Sequence, residues 1–131
     1  VVVSKNMESN GQNKDLKELD EDDMILDIGT KTISSIKKVV DNSNTVLWNG
    51  PAGYFENPNF QNGTKQILEI VSQRTKNNNI FSVAGGGETV AAINKFNKLN
   101  SFTFVSTAGG AFLEYLEGKT LPGIKAINQN V

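Results

Sequence analysis

The sequence predicts an α/β fold: a Rossmann-like, doubly wound parallel sheet that is incomplete. Three observations carry this prediction. Short apolar runs alternate with helical apolar patterns from Met24 onward, the signature of strands wound with helices. Three successive apolar runs end in glycine-rich turns. With 131 residues, 37% of them hydrophobic, the chain is large enough for one core and no more.

The chain opens on Val1-Val2-Val3, a β-branched run that reads as strand, with no initiator Met. The expectation is a fragment whose domain starts upstream. Residues 5–23 are polar and gather Asp15, Glu18, Asp20, Glu21, Asp22 and Asp23; a charge run of this kind reads as a solvated loop, not a cation site. Residues 24–28 form the next strand, closed by Gly29. Thr32 is the expected cap of a helix with Ile33, Ile36 and Val40 on one face. That helix stops in the Asp41-Asn42-Ser43-Asn44 run.

Residues 45–48 read as a buried strand ending in Asn49-Gly50-Pro51-Ala52-Gly53. Asn57-Pro58 then supplies a cap and a proline for the first helical turn, and Phe60, Thr64, Ile67 and Val71 form one stripe. Residues 80–84 are the next strand, Gly85-Gly86-Gly87 the turn, and 89–96 a helix with Val90, Ile93 and Phe96 inward. Residues 102–105 repeat the strand. Ser106-Thr107-Ala108-Gly109-Gly110 leads into a helix over 111–117, which Gly118 ends, and Pro122 is expected to block continuation.

Composition removes several function classes. Thirteen Lys and Arg against 14 acidic residues leave no basic field for nucleic acid. Without Cys there is neither a disulfide framework nor a thiolate zinc site. No apolar run approaches a membrane span, so a soluble, cytoplasmic protein is expected. His is absent and Arg74 is the sole Arg, which excludes His acid/base chemistry and an Arg cluster for an acidic substrate. Such a substrate would have to be held elsewhere.

In a parallel sheet the three glycine turns lie side by side at the carboxyl edge, where open α/β folds bind ligands. Glycine lets backbone N–H groups close on an anion, and the following helix adds its unpaired N–H groups and dipole. Three such turns point to a polyphosphate. There is no G-x-x-x-x-G-K-[ST], and Val90 stands where G-x-G-x-x-G needs its last glycine. A nicotinamide-binding Rossmann domain therefore lacks its fingerprint, and a His-free chain lacks the His-Arg-Asp loop of protein kinases.

These residues resemble the phosphoglycerate kinase family. The run Thr45-Val46-Leu47-Trp48-Asn49-Gly50-Pro51-Ala52-Gly53-Tyr54-Phe55-Glu56 is similar to the family's V-W-N-G-P-x-G-x-F-E, with Gly63-Thr64-Lys65 after it. The stretch over 81–92 resembles S-V-x-G-G-G-D-[ST], and 106–123 resembles S-T-G-G-G-A-x-L-E-x-L-E-G-K-x-L-P-G. Leu26-Asp27-Ile28-Gly29 matches as well, so nearly all of the chain from Met24 follows the family's order.

The resemblance implies reversible phosphoryl transfer between 1,3-bisphosphoglycerate and ADP, giving 3-phosphoglycerate and ATP in glycolysis, with Mg²⁺ and closure of two domains. It implies that residues 1–131 are part of the nucleotide-binding C-terminal domain and that the N-terminal substrate domain is absent. Glu56 would hold the ribose hydroxyls, Asn49, Gly50 and Pro51 would line the nucleotide pocket, and Leu26 and Tyr54 would flank the adenine. Gly86, Gly87, Glu88 and Thr89 would form the phosphate and metal loop, Glu88 reaching Mg²⁺ and Thr89 a phosphate or the helix cap. Gly109 and Gly110 would present N–H groups to the transferring phosphoryl. Trp48 and Phe55 read as packing residues.

The sequence departs from the pattern at two positions. Glu88 stands where the family has Asp, one methylene shorter, and Mg²⁺ demands near-octahedral geometry. Ala108 replaces the first glycine of its triplet. The family's Arg and His residues for the glycerate acid, and a lysine near the phosphates, have no counterpart here. The expectation is therefore a piece inactive by itself, typically monomeric by family, contacting the glycerate substrate only through the missing domain. The alternative is a non-catalytic remnant of a split or decayed gene.

Overall fold

Two three-stranded sheets share the work in a computed structural model of the chain, which describes residues 1–77 and 79–128. The first is antiparallel, in the order β2-β1-β3, from β1 (Val2–Ser4), β2 (Gln12–Asn13) and β3 (Met24–Asp27). The polar stretch after Ser4 thus does more than loop: it returns as β2 and a 3₁₀ turn over Leu16–Glu18. No helix intervenes between β1 and β3, so the connection has no crossover to make them parallel, and β3 lies outside the parallel sheet. The acidic cluster is held by lysines. Lys14 Nζ reaches Asp20 at 2.8 Å and Asp23 at 2.6 Å, and Lys5 pairs with Asp22 at 2.9 Å, in line with a structural reading of the charge run.

The second sheet is parallel, in the order β4-β5-β6, from β4 (Thr45–Asn49), β5 (Phe81–Gly85) and β6 (Phe104–Ser106). Its helices are α1 (Thr30–Asp41), α2 (Asn62–Lys76), α3 (Gly87–Lys95) and α4 (Gly110–Leu116). One apolar cluster joins Val40, Trp48, Leu68, Val71, Ala84 and Ile93, with Ile33, Ile36 and Val105 packed on it; α1, α2 and α3 therefore share one face of the sheet. Trp48 is buried and stacks on Phe102 with ring centroids 6.0 Å apart, and Phe55 is buried as well, as their packing role requires. On strand β5, Gly85 shares the opposite face with Phe81 and Val83. The Phe112 ring of α4 fills the place of its missing side chain, 2.6 Å from where a Cβ would sit.

The starts of α1 and α2 differ from the local sequence signals, and in both a distant side chain supplies the cap. Thr32 lies inside α1; the helix begins after Gly29, and Thr30 donates its N–H to Asn13 Oδ1 at 3.0 Å. Asn57 caps only a 3₁₀ turn, Pro58–Phe60, accepting from Asn59 N–H at 2.9 Å. The longer helix restarts at Asn62, and its Gly63 N–H donates to the Asp27 carboxylate at 2.7 Å. Asp27 is buried at the end of β3, and burial pushes its pKa up against the lowering effect of backbone N–H groups from Gly63, Ile28 and Asn62.

At the far end Gly118, at φ +81°, closes α4: its N–H bonds Tyr115 O and the Lys119 N–H bonds Glu114 O, both at 3.0 Å. This is the Schellman pattern. Pro122 does not end helical structure but begins a helix, α5 (Pro122–Asn128), since a proline's missing N–H costs nothing in a first turn.

Candidate functional site

Parallel register decides whether the three glycine turns meet. Asn49 pairs with Gly85, and Gly85 with Ser106, so the chain leaves all three strands at one level and one edge. Gly50, Gly86 and the Thr107-to-Gly110 turn follow directly. The sequence-based convergence of the loops is thus present in the strand order.

Two contacts lock the first loop to the second. Gly50 donates its N–H to Thr89 Oγ1 at 2.6 Å, although 39 residues separate them. The Asn49 carboxamide oxygen rests against Gly86, 2.5 Å from where a Cβ would stand, and Gly86 has φ +93°. Gly86 is therefore required twice over: by its backbone and by its neighbour.

Gly86 is the cap residue of α3, whose first intrahelical bond runs from Val90 N–H to Gly86 O at 3.0 Å. The amides at the start of this turn have no partner within the helix, and the dipole makes this end attractive to anions. Gly87 and Glu88 are solvent-exposed in this turn; Thr89 is fully buried. The Thr89 hydroxyl thus braces Gly50 rather than facing solvent.

The third loop enters α4 through Gly109, at φ +56°, with nothing within 4 Å of a Cβ on Gly109 or Gly110. Ala108 donates its N–H to Ser106 Oγ at 3.3 Å. Its backbone is not left-handed, since among the described residues Asn97 is the non-glycine residue with positive φ. The methyl that departs from the family pattern therefore carries no backbone strain.

Loop 50–56 is fixed along its length. Tyr54 donates its N–H to Leu26 O at 2.8 Å, which puts the two proposed adenine neighbours at one junction. Gly53, at φ +64°, packs on Asp27, 2.5 Å from the carboxylate to a Cβ position, and Thr64 Oγ1 donates to Ala52 O at 2.5 Å. Lys95 Nζ donates to Phe55 O at 2.7 Å and to Glu56 O at 3.1 Å. The Glu56 side chain is exposed and Pro51 partly buried.

Glu88 is the carboxylate in the first turn of α3, and among the described residues no group of three or more acidic, His or Cys side chains gathers into a metal cage. One carboxylate suits Mg²⁺, which commonly takes its remaining ligands from phosphate and water. Surface hollows lie beside Asn13 and Lys31 and between α4 and α5. Among the described residues no helix is long and apolar enough to cross a membrane.

Sequence reasoning missed two of the bracing residues. Asp27 figured only as part of a matched run and Lys95 not at all, because each acts through contacts 36 to 40 residues away.

The family model described as "Phosphoglycerate kinase" matches residues 1–119. The protein named phosphoglycerate kinase from Bartonella tribocorum is 46% identical over 131 residues, covering 98% of this chain and 33% of that protein. Its namesake from Blochmanniella floridana is 48% identical over 117 residues, 89% of this chain and 28% of that one. Among solved structures, phosphoglycerate kinase from Coxiella burnetii superposes with a TM-score of 0.89 at 37% identity, covering 99% of this chain and 33% of that chain. The enzyme from Pyrococcus horikoshii OT3 gives 0.80 at 28% identity, with 97% and 31% covered. The chain thus spans about a third of the length of these relatives.

Proposed function

The chain belongs to the phosphoglycerate kinase family, and from that premise we propose that it supplies part of the Mg-nucleotide site for reversible phosphoryl transfer between 1,3-bisphosphoglycerate and ADP. In this reading residues 1–131 are a portion of the nucleotide-binding C-terminal domain. The observation that carries it is the common edge of the glycine turns, tied by the bond from Gly50 N–H to Thr89 Oγ1.

Each residue has a task set by its place. The open amides at Gly86, Gly87 and the start of α3 receive phosphate oxygens. Glu88 holds Mg²⁺, which when bound offsets charge on the phosphates. Gly109 and Gly110 offer N–H groups to the phosphoryl in transit, with no side chain in the way. Glu56 accepts the ribose hydroxyls, while Asn49 and Pro51 line the nucleotide and Leu26 with Tyr54 borders the base. Thr89 acts by holding Gly50 in place.

Neither His nor Arg is available at the turns to grip the glycerate acid: the chain has no His, and its one Arg, Arg74, donates to Asp41 O at the far end of α2. The chain alone is proposed to bind Mg-ADP and to turn over nothing, the acid being held by parts of the family fold outside it. A cytoplasmic, monomeric protein is the family's usual state. A coupled assay with ATP and 3-phosphoglycerate tests this; turnover above background by the isolated chain would contradict it. The second reading, a non-catalytic remnant, is favoured by Glu88 in place of Asp, and a folded chain that fails to bind Mg-ADP would select it.

A further inference from the structure

Loop 50–56 is fastened to both ends of one helix. At the start of α3, Thr89 Oγ1 accepts the Gly50 N–H at 2.6 Å; at its end, Lys95 Nζ donates to Phe55 O at 2.7 Å and Glu56 O at 3.1 Å. The same ammonium lies 5.9 Å from the Phe55 ring centroid and 5.8 Å from that of Phe96, so two aromatic rings and two carbonyls hold it. Two adjacent carbonyls on one cation fix the orientation of the peptide between them, and with it the direction in which the Glu56 side chain leaves the backbone. From Thr89 to Lys95 the helix rises about 9 Å, and a helix is stiff along its axis.

We propose that Lys95 is a positioning residue for Glu56: α3 serves as a spacer that sets the ribose carboxylate at a fixed separation from the phosphate-binding amides at its own N-terminus. The proposal rests on the nucleotide reading above. It makes recognition of the nucleoside, as distinct from the phosphates, depend on a lysine that touches neither.

The test compares Mg-ADP with Mg-pyrophosphate, which has the phosphates without the nucleoside, by calorimetry on the full chain, together with amide hydrogen exchange at residues 54–56. Lys95→Met should weaken Mg-ADP binding about tenfold, leave Mg-pyrophosphate unchanged and speed exchange at residues 54–56 but not in β5; a double-mutant cycle with Glu56→Gln should be non-additive. Lys95→Arg, which keeps the charge and donors, should recover most of the affinity. Unchanged Mg-ADP affinity, or equal loss for both ligands, would overturn the proposal. Should the unsubstituted chain ignore Mg-ADP while Lys95→Met still loosens residues 54–56, the clamp stands and the nucleotide reading fails.

Discussion

Gly50 and Thr89 are joined by a hydrogen bond from a backbone N–H to a buried hydroxyl, at 2.6 Å. That bond couples the turn after β4 to the first turn of α3, so the geometry of the first glycine loop is inherited from the second. A site made of backbone amides has no side chains to adjust, and its shape must come from contacts of this kind.

Removing the hydroxyl isolates this effect. Thr89→Val keeps the volume but leaves the Gly50 N–H without its acceptor, and the expected cost is about 1–3 kcal/mol in denaturant unfolding. Thr89→Ser should recover most of it. An unchanged midpoint for the valine variant would show that the bond contributes nothing.

The glycines separate into those the fold needs and those only a ligand would need. Gly86→Ala meets both φ +93° and the Asn49 carboxamide, and should destabilise by about 1–2 kcal/mol. Gly87 and Gly110 have open space around a Cβ and no positive φ. Their alanine variants should unfold like the parent chain, so any loss of Mg-ADP affinity in them reports the approach of phosphate. Equal destabilisation of all three by thermal unfolding would refute this division.

Acid and base act on the antiparallel sheet and the loop junction in opposite senses. The side-chain bond from Lys14, then the Asp20 backbone N–H, hold Asp23 below its usual 3.8. Its contribution is present above that value and lost as pH falls through the folded pKa. Burial raises Asp27 above 3.8, so its contribution is present below 3.8 and lost as pH rises through the folded pKa. Asp23→Asn should flatten the acid limb of stability against pH, and Asp27→Asn the limb just above 3.8. Matching profiles for both variants would contradict the assigned causes.

Much of the parallel sheet was legible because its signals are local. The strand cores at Trp48 and Ala84, the buried Ile93 and the left-handed Gly118 all follow from period and residue type. The antiparallel sheet was not, since a two-residue strand at Gln12–Asn13 inside a polar run has no pattern to read. Helix starts failed for a related reason: the groups that satisfy Thr30 and Gly63, namely Asn13 and Asp27, come from other elements. The glycine turns were visible as motifs, and their common edge followed from strand order. The residues that brace them, Thr89 and Lys95, act through contacts that only the folded chain reveals.

One nucleotide should span all three turns, and amide-resolved NMR during a Mg-ADP titration reads this directly. The N–H signals of Gly50, Gly86 and Gly109 should move together along one binding curve, with those of β1 and β2 unmoved. Shifts at one turn alone, or three turns responding with different affinities, would contradict the claim.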